Sequence, residues 1–272
     1  MKRRITFALA LIMLLSVCLC ACGSEESEKP ALATPRPAEE TYNLAMYYVS
    51  KGNYEMGYAA LLSISDYDKA AEALENFYHL PGKMAERKAG ETNPDNYDIT
   101  MFSYGKGGII LERSYHESGV MTAAERFTYE NGLLKTSEFR SNGDKKFTAS
   151  YTFDGEGRLY EIVMKDAEEN FAKKDYKYGT SGKVTEETIT DFDGTVTINK
   201  FSYNKNEQLS VKRSCRIKDG EETVIAEYEY IYNEKGVLIG ADKTADGKKY
   251  DVGYSEHRLF YNPDYSDLML YY

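Results

Sequence analysis

Phe102-Ser103-Tyr104, Phe127-Thr128-Tyr129, Tyr151-Thr152-Phe153, Tyr176-Lys177-Tyr178, Phe201-Ser202-Tyr203 and Tyr230-Ile231-Tyr232 are six copies of one element, two aromatic residues separated by one. Val252-Gly253-Tyr254 is a degenerate seventh copy. Successive copies start 25, 24, 25, 25, 29 and 22 residues apart. A fixed period of this size marks a repeat architecture. Aromatics at i and i+2 share one face of a strand, and the residue between them points away. The intervening residues are mostly Ser, Thr or Lys, so each strand has an aromatic face and a wet one.

Two kinds of turn signal alternate with these pairs. One follows each pair, as in Glu130-Asn131-Gly132, Asp154-Gly155-Glu156-Gly157, Gly179-Thr180-Ser181-Gly182, Lys205-Asn206-Glu207 and Asn233-Glu234-Lys235-Gly236. The other falls half a period later, at Ser118-Gly119, Asn142-Gly143, Asp193-Gly194, Asp219-Gly220 and Asp246-Gly247. Asn-Gly and Asp-Gly supply the positive φ that tight hairpins need. Two turns per period predict two strands per repeat, and roughly 12 to 14 strands in all. The fold class expected is mainly β: a long curled antiparallel hairpin meander of about 25-residue repeats over residues 82–272, its aromatic face wrapped inward. A sheet that size must coil, fold over or close, and the pattern leaves open which.

One copy, Tyr151-Thr-Phe153-Asp154-Gly-Glu-Gly157-Arg158-Leu159, resembles the Tyr-Asp repeat of Rhs-type proteins, whose unit reads Tyr-x-Tyr-Asp-x-x-Gly-Arg-Leu. Tyr230 to Leu238 and Tyr176 to Val184 follow it with departures. The resemblance implies a β shell, built in that family around a toxin or used as a surface adhesion and glycan-contact module. The copies here are too few to enclose a toxin, so the contact role is the one expected.

Residues 39–81 read as helical. Leu44, Ala45 and Tyr48, then Gly52 and Tyr54, then Tyr58, Leu61 and Leu62 recur at three- and four-residue steps. Gly52-Asn53 is a stop followed by a cap, and Ser65 or Asp66 is placed to cap a third helix running through Phe77. The segment is similar to a tetratricopeptide repeat, with Leu44-Ala45, Tyr48, Gly52, Tyr54, Leu61 and Ile64 at the packing positions. That likeness implies a peptide groove, for which Tyr48 and Tyr58 are the candidates. The bland alternative is a helical cap over the end of the repeat sheet.

Before the helices, Met1-Lys2-Arg3-Arg4 and the apolar run Ile5 to Val17 make a secretory leader over residues 1–21. Leu19-Cys20-Ala21-Cys22 resembles the bacterial lipobox, which implies cleavage after Ala21 and a lipid on the Cys22 thiol. A palmitate-type anchor would then hold the chain on the extracytoplasmic face of the cell membrane. Residues 22–38, rich in Ser, Glu, Ala and Pro, read as a disordered tether. Cys18 and Cys20 leave with the leader, so Cys215 has no partner for a disulfide. Its alignment with Leu209, Val211 and Ile217 reads as a small inward residue on a strand.

Net charge is −10, and three of the 34 basic residues sit in the leader, so the remainder is more acidic still. An acidic body argues against nucleic acid and against binding anionic lipid by charge. No cofactor, metal site or catalytic motif is legible: His79, His116 and His257 stand apart, and no phosphate loop or nucleophile elbow is present. Paired carboxylates such as Asp191 with Asp193, or Glu186 with Glu187, keep a glycan hydrolase as the lesser alternative. The function expected is therefore a non-enzymatic, lipid-anchored cell-surface module that binds or scaffolds wall glycan or envelope protein. Tyr160, Tyr250 and Tyr265 are its candidate contacts. The alternative is an assembly factor holding a peptide partner through the helical segment.

Overall fold

The computed structural model describes residues 36–262. The leader, Cys22, most of the tether and Tyr265 lie outside the described residues.

Three helices come first: α1 (Ala38–Ser50), α2 (Tyr54–Leu62) and α3 (Asp68–Leu74). Gly52 turns the chain with φ +77°, and Asn53 caps α2 by accepting from the Met56 amide. Gly57 lets the two helices approach, since a Cβ there would lie 2.7 Å from Val49 Cγ2. The third helix departs from its pattern. It starts from Tyr67 with no side-chain cap, ends at Leu74, and leaves Phe77–Leu80 as a strand, β1. The cause is tertiary: β1 pairs antiparallel with the last strand, β16 (Arg258–Tyr261), setting His79 opposite Leu259.

Between them run β2 (Lys83–Lys88), β3 (Asp98–Tyr104), β4 (Ile110–Glu117), β5 (Val120–Glu130), β6 (Leu133–Ser141), β7 (Asp144–Phe153) and β8 (Leu159–Asp166). They continue as β9 (Phe171–Tyr178), β10 (Val184–Thr190), β11 (Val196–Tyr203), β12 (Leu209–Lys218), β13 (Glu221–Tyr232), β14 (Leu238–Ala245) and β15 (Lys248–Ser255). Each pairs with its sequence neighbour, and β15 pairs with β2, so the meander closes into a barrel of fourteen antiparallel strands. Closure removes every edge, which is the structural answer to a long repeat sheet.

The two turn types occupy opposite ends. Ser118-Gly119, Asn142-Gly143, Asp219-Gly220 and Asp246-Gly247 all have positive φ at both residues, as two-residue hairpins require. Asp193-Gly194 instead closes a longer loop, in which the Gly194 amide donates to the Asp191 carbonyl. At the other end, Asp154 Oδ1 gathers the amides of Glu156 and Arg158, and Asn204 and Asn233 do the same in their copies. The fourth residue of this loop needs positive φ; Gly157, Gly182 and Gly236 provide it, and Glu207 adopts it at +60°.

A β-bulge sits at the same place in every one of these latter hairpins, one residue past Ile110, Leu134, Leu159, Val184, Leu209 and Leu238. Those six apolar residues are buried, and the extra residue faces out. The aromatic pairs point into the lumen, where Phe127, Tyr151, Tyr176 and Phe201 are buried with them. A hydroxyl ladder ties successive repeats. Tyr129, Tyr178 and Tyr203 donate to the carbonyls of Ile110, Leu159 and Val184, each 19 residues earlier, at 2.7–2.8 Å. Tyr104 and Tyr232 reach Pro81 and Leu209 in the same way, and His257 Nε2 takes the next rung on Leu238 at 2.7 Å.

The helices and the β1–β16 ribbon pack at this aromatic end. Val49, Tyr54, Leu80, Leu259 and Phe260 form a buried cluster against Tyr104. Tyr78 donates to the Gly107 carbonyl at 2.7 Å, and Tyr54 Oη accepts from the Gly107 amide at 3.0 Å. These contacts hold the helical segment against this end of the barrel.

Candidate functional site

Below the aromatic end the lumen turns polar, and the period says which residues do it. Position i−2 of each aromatic pair faces inward: Thr100, Glu125, Ala149, Lys174, Asn199 and Tyr228. On the returning strands the bulge shifts the inward position to three residues past the buried aliphatic, at Arg113, Ser137, Ile162, Glu187, Lys212 and Ala241. Two networks result. Glu125 accepts from Arg113 Nη2 at 3.0 Å and Ser137 Oγ at 2.6 Å, and Ser137 meets Tyr151 Oη at 2.9 Å. Glu187, 2% exposed, accepts from Tyr176 Oη at 2.9 Å and from Asn199 Nδ2, with Lys174 Nζ at 3.6 Å. Ser214 Oγ completes this second network on Asn199. Over the inner face of β15, Lys243 donates to Glu86 at 2.6 Å.

Burial alone would push the Glu187 carboxyl up, but Lys174, Lys212, Asn199 and Tyr176 outweigh it and hold the group below its ordinary range. Lys212 moves the other way: burial lowers its ammonium despite the attraction of Glu187.

The outer wall carries cross-strand ion pairs. Glu112, Arg126, Glu138, Arg140 and Lys145 chain across β4 to β7. Lys173 bridges Glu161 and Asp175, and Arg213 meets Glu227. A barrel that crosses lipid by its strands needs an outward apolar band about 25 Å tall. Charged residues occupy those positions here, so this wall faces water. No described helix is long and apolar enough to cross a membrane.

One row breaks the alternation. Glu229, Asp242 and Asp251 stand directly opposite one another on β13, β14 and β15. Like charges in register destabilise a sheet. Arg87 offsets Asp251 at 3.4 Å, but Glu229 and Asp242 make no ion pair among the described residues. The row lines a groove of about 330 Å³ together with Glu227, Lys249 and Thr244.

The structure separates the residues singled out in the sequence. Tyr160 is the bulge residue of its repeat and stands on the outer wall, 53% exposed. Tyr250 does not: it is half-buried and turned to the lumen, with Lys243 Nζ 5.2 Å from its ring centre, because β15 keeps Tyr250, Val252 and Tyr254 on one face. Tyr58 is packed edge-on against Phe77 at 5.2 Å, while Tyr48 is half-buried beside Tyr47. Glu186 and Glu187 lie on opposite faces, the first paired to Lys177 outside. Asp191 and Asp193 are engaged with the amides of Phe192 and Thr195 in their own loop. Neither carboxylate pair shares a cleft. Cys215 is buried, yet on the outer side, since adjacent Ser214 faces the lumen; the bulge after Leu209 breaks the alignment read from the sequence. Among the described residues no group of His, Cys, Asp and Glu is placed to hold a metal.

No protein-family model matches the chain, and no curated protein matches it in sequence. Among solved structures it is similar to a porin-like protein from Bacteroides uniformis, at 10% identity and a TM-score of 0.40 over 64% of this chain and 97% of that one. A porin-like protein from Bacteroides vulgatus gives 10% identity and 0.40, over 67% and 98%. The TcdB2-TccC3-Cdc42 structure gives 14% identity and 0.23, over 57% of this chain and 10% of that chain. At TM-scores this low, none of these likenesses bears on function.

Proposed function

We propose that the chain is a non-enzymatic, lipid-anchored envelope protein whose barrel is a rigid, water-facing binding and scaffolding body. Its contact face is the groove of Glu229, Asp242 and Asp251, and its partner is a cationic segment of another envelope protein. The observation that carries this reading is the like-charge row, in which Glu229 and Asp242 make no ion pair among the described residues, on a wall where Arg126, Lys173 and Arg213 are paired across strands. Such a row costs stability in the free protein and is neutralised by a basic partner. A protein partner is favoured over wall glycan because the aromatic ladder, which would supply a sugar-stacking surface, is spent on the lumen. The anchor rests on Leu19 to Cys22.

Photo-crosslinking in cells tests the contact face. A crosslinker at Asp242 is expected to capture one stoichiometric protein, and a crosslinker at Tyr160 is not. Capture that is equal at both positions, or that returns wall glycan, refutes the assignment. Palmitate-type label is expected on the mature chain, and its retention in Cys22→Ala refutes the anchor.

A further inference from the structure

The inward tyrosines differ in how their hydroxyls are used. Tyr104, Tyr129, Tyr151, Tyr176, Tyr178, Tyr203 and Tyr232 each spend the hydroxyl on a protein acceptor or network. The hydroxyls of Tyr115, Tyr230 and Tyr254 make no hydrogen bond among the described residues. These three line a single internal cavity of about 110 Å³, along with Met84, Phe102 and Arg113. Arg113 gives Nη2 to Glu125, and its Nε is buried without an acceptor. Buried polar groups are nearly always paired, so an orphaned guanidinium nitrogen beside three unbonded hydroxyls that face one cavity points to an occupant.

Charge says which kind. Among the residues that line the cavity, Arg113 is the one that carries a charge. Beside the cavity, Lys212 makes no ion pair among the described residues. Its Nζ lies 5.6 Å from the Tyr228 ring centre, and Tyr228 stacks on Tyr230 of the cavity wall at 6.3 Å. Three hydroxyls and a guanidinium offer donors, and Met84 and Phe102 offer an apolar surface.

We propose that this cavity binds a small monocarboxylate of about two to four carbons, its oxygens on the tyrosine hydroxyls and Arg113 and its alkyl end against Phe102 and Met84. The size follows from the volume, which matches about four waters at ~30 Å³ each. The site is distinct from the outer groove, and neither reading depends on the other.

Propionate is the probe, added to the full chain with chloride-matched buffer as control and read by saturation-transfer NMR. Wild-type protein is expected to transfer saturation to propionate. Tyr254→Phe and, separately, Tyr230→Phe are expected to weaken binding at least tenfold without lowering the unfolding midpoint, because each removes a hydroxyl that no protein group uses. Tyr160→Phe, on the outer wall, is expected to bind as wild type. No transfer to propionate or acetate in the wild type overturns the proposal, and so does equal binding by wild type and whichever of the two lumen variants folds.

Discussion

Phe153 interrupts the hydroxyl ladder. Every neighbouring rung joins a ring hydroxyl to a carbonyl 19 residues earlier at 2.7–2.8 Å, and the corresponding acceptor for position 153 is Leu134, which has no side-chain donor among the described residues. Phe153→Tyr adds one atom at the place where Tyr129 and Tyr178 carry theirs. A net intramolecular hydrogen bond contributes about 0.5–1.5 kcal/mol. For a body of this size about 1 kcal/mol moves the thermal midpoint by about 2–4 °C. The reverse change, Tyr178→Phe, leaves the carbonyl of fully buried Leu159 without its donor. It costs about 1–3 kcal/mol, the penalty of an orphaned buried acceptor. Denaturant unfolding of both variants against wild type measures the pair, with an unchanged slope as the check that compactness is preserved. The reasoning is refuted if Phe153→Tyr lowers the midpoint while Tyr178→Phe leaves it where it was.

Glu207→Gly is expected to stabilise by up to about 1 kcal/mol, because a non-glycine residue at φ +60° carries a left-handed penalty that the other copies avoid; equilibrium unfolding reads it. Glu187→Ala is expected to cost about 3–5 kcal/mol by leaving Lys174 and Lys212 uncompensated, measured the same way. The same carboxyl sits below its ordinary value near 4.5 in the fold, so its contribution is present above that pH and lost as pH falls through the folded value. At the alkaline side, burial pushes Tyr78 and Tyr178 up to about 12, and Tyr104, Tyr129 and Tyr151 are raised as well. Raised folded values mean stability intact below pH 10 and lost above it, by up to about 1.4 kcal/mol per pH unit for each tyrosine. Unfolding at stepped pH alongside tyrosinate absorbance is expected to show the loss beginning near 10, and a flat profile to 12 would contradict it.

The sequence by itself determined the repeat, the two strands per copy, the inward aromatic face and most of the turns. These are local properties: period-two alternation places residues on a face, and Asn-Gly or Asp-Gly fixes a hairpin wherever it occurs. It also held the polar belt in a form not read from it, since Glu125, Lys174 and Asn199 stand two before their aromatic pairs. The returning half of that belt, Arg113, Glu187 and Lys212, was hidden because a bulge converts the inward step from two residues to three, and the bulge is a property of paired strands. The same shift turned Cys215 outward. Only the tertiary structure decided closure, because the β15–β2 bonds join strands from opposite ends of the repeat array and no local signal says how far a twisted meander curls. It likewise turned Phe77–Leu80 from a helix end into a strand, since the hydrogen-bonding partner that makes it one, β16, lies at the far end of the described chain.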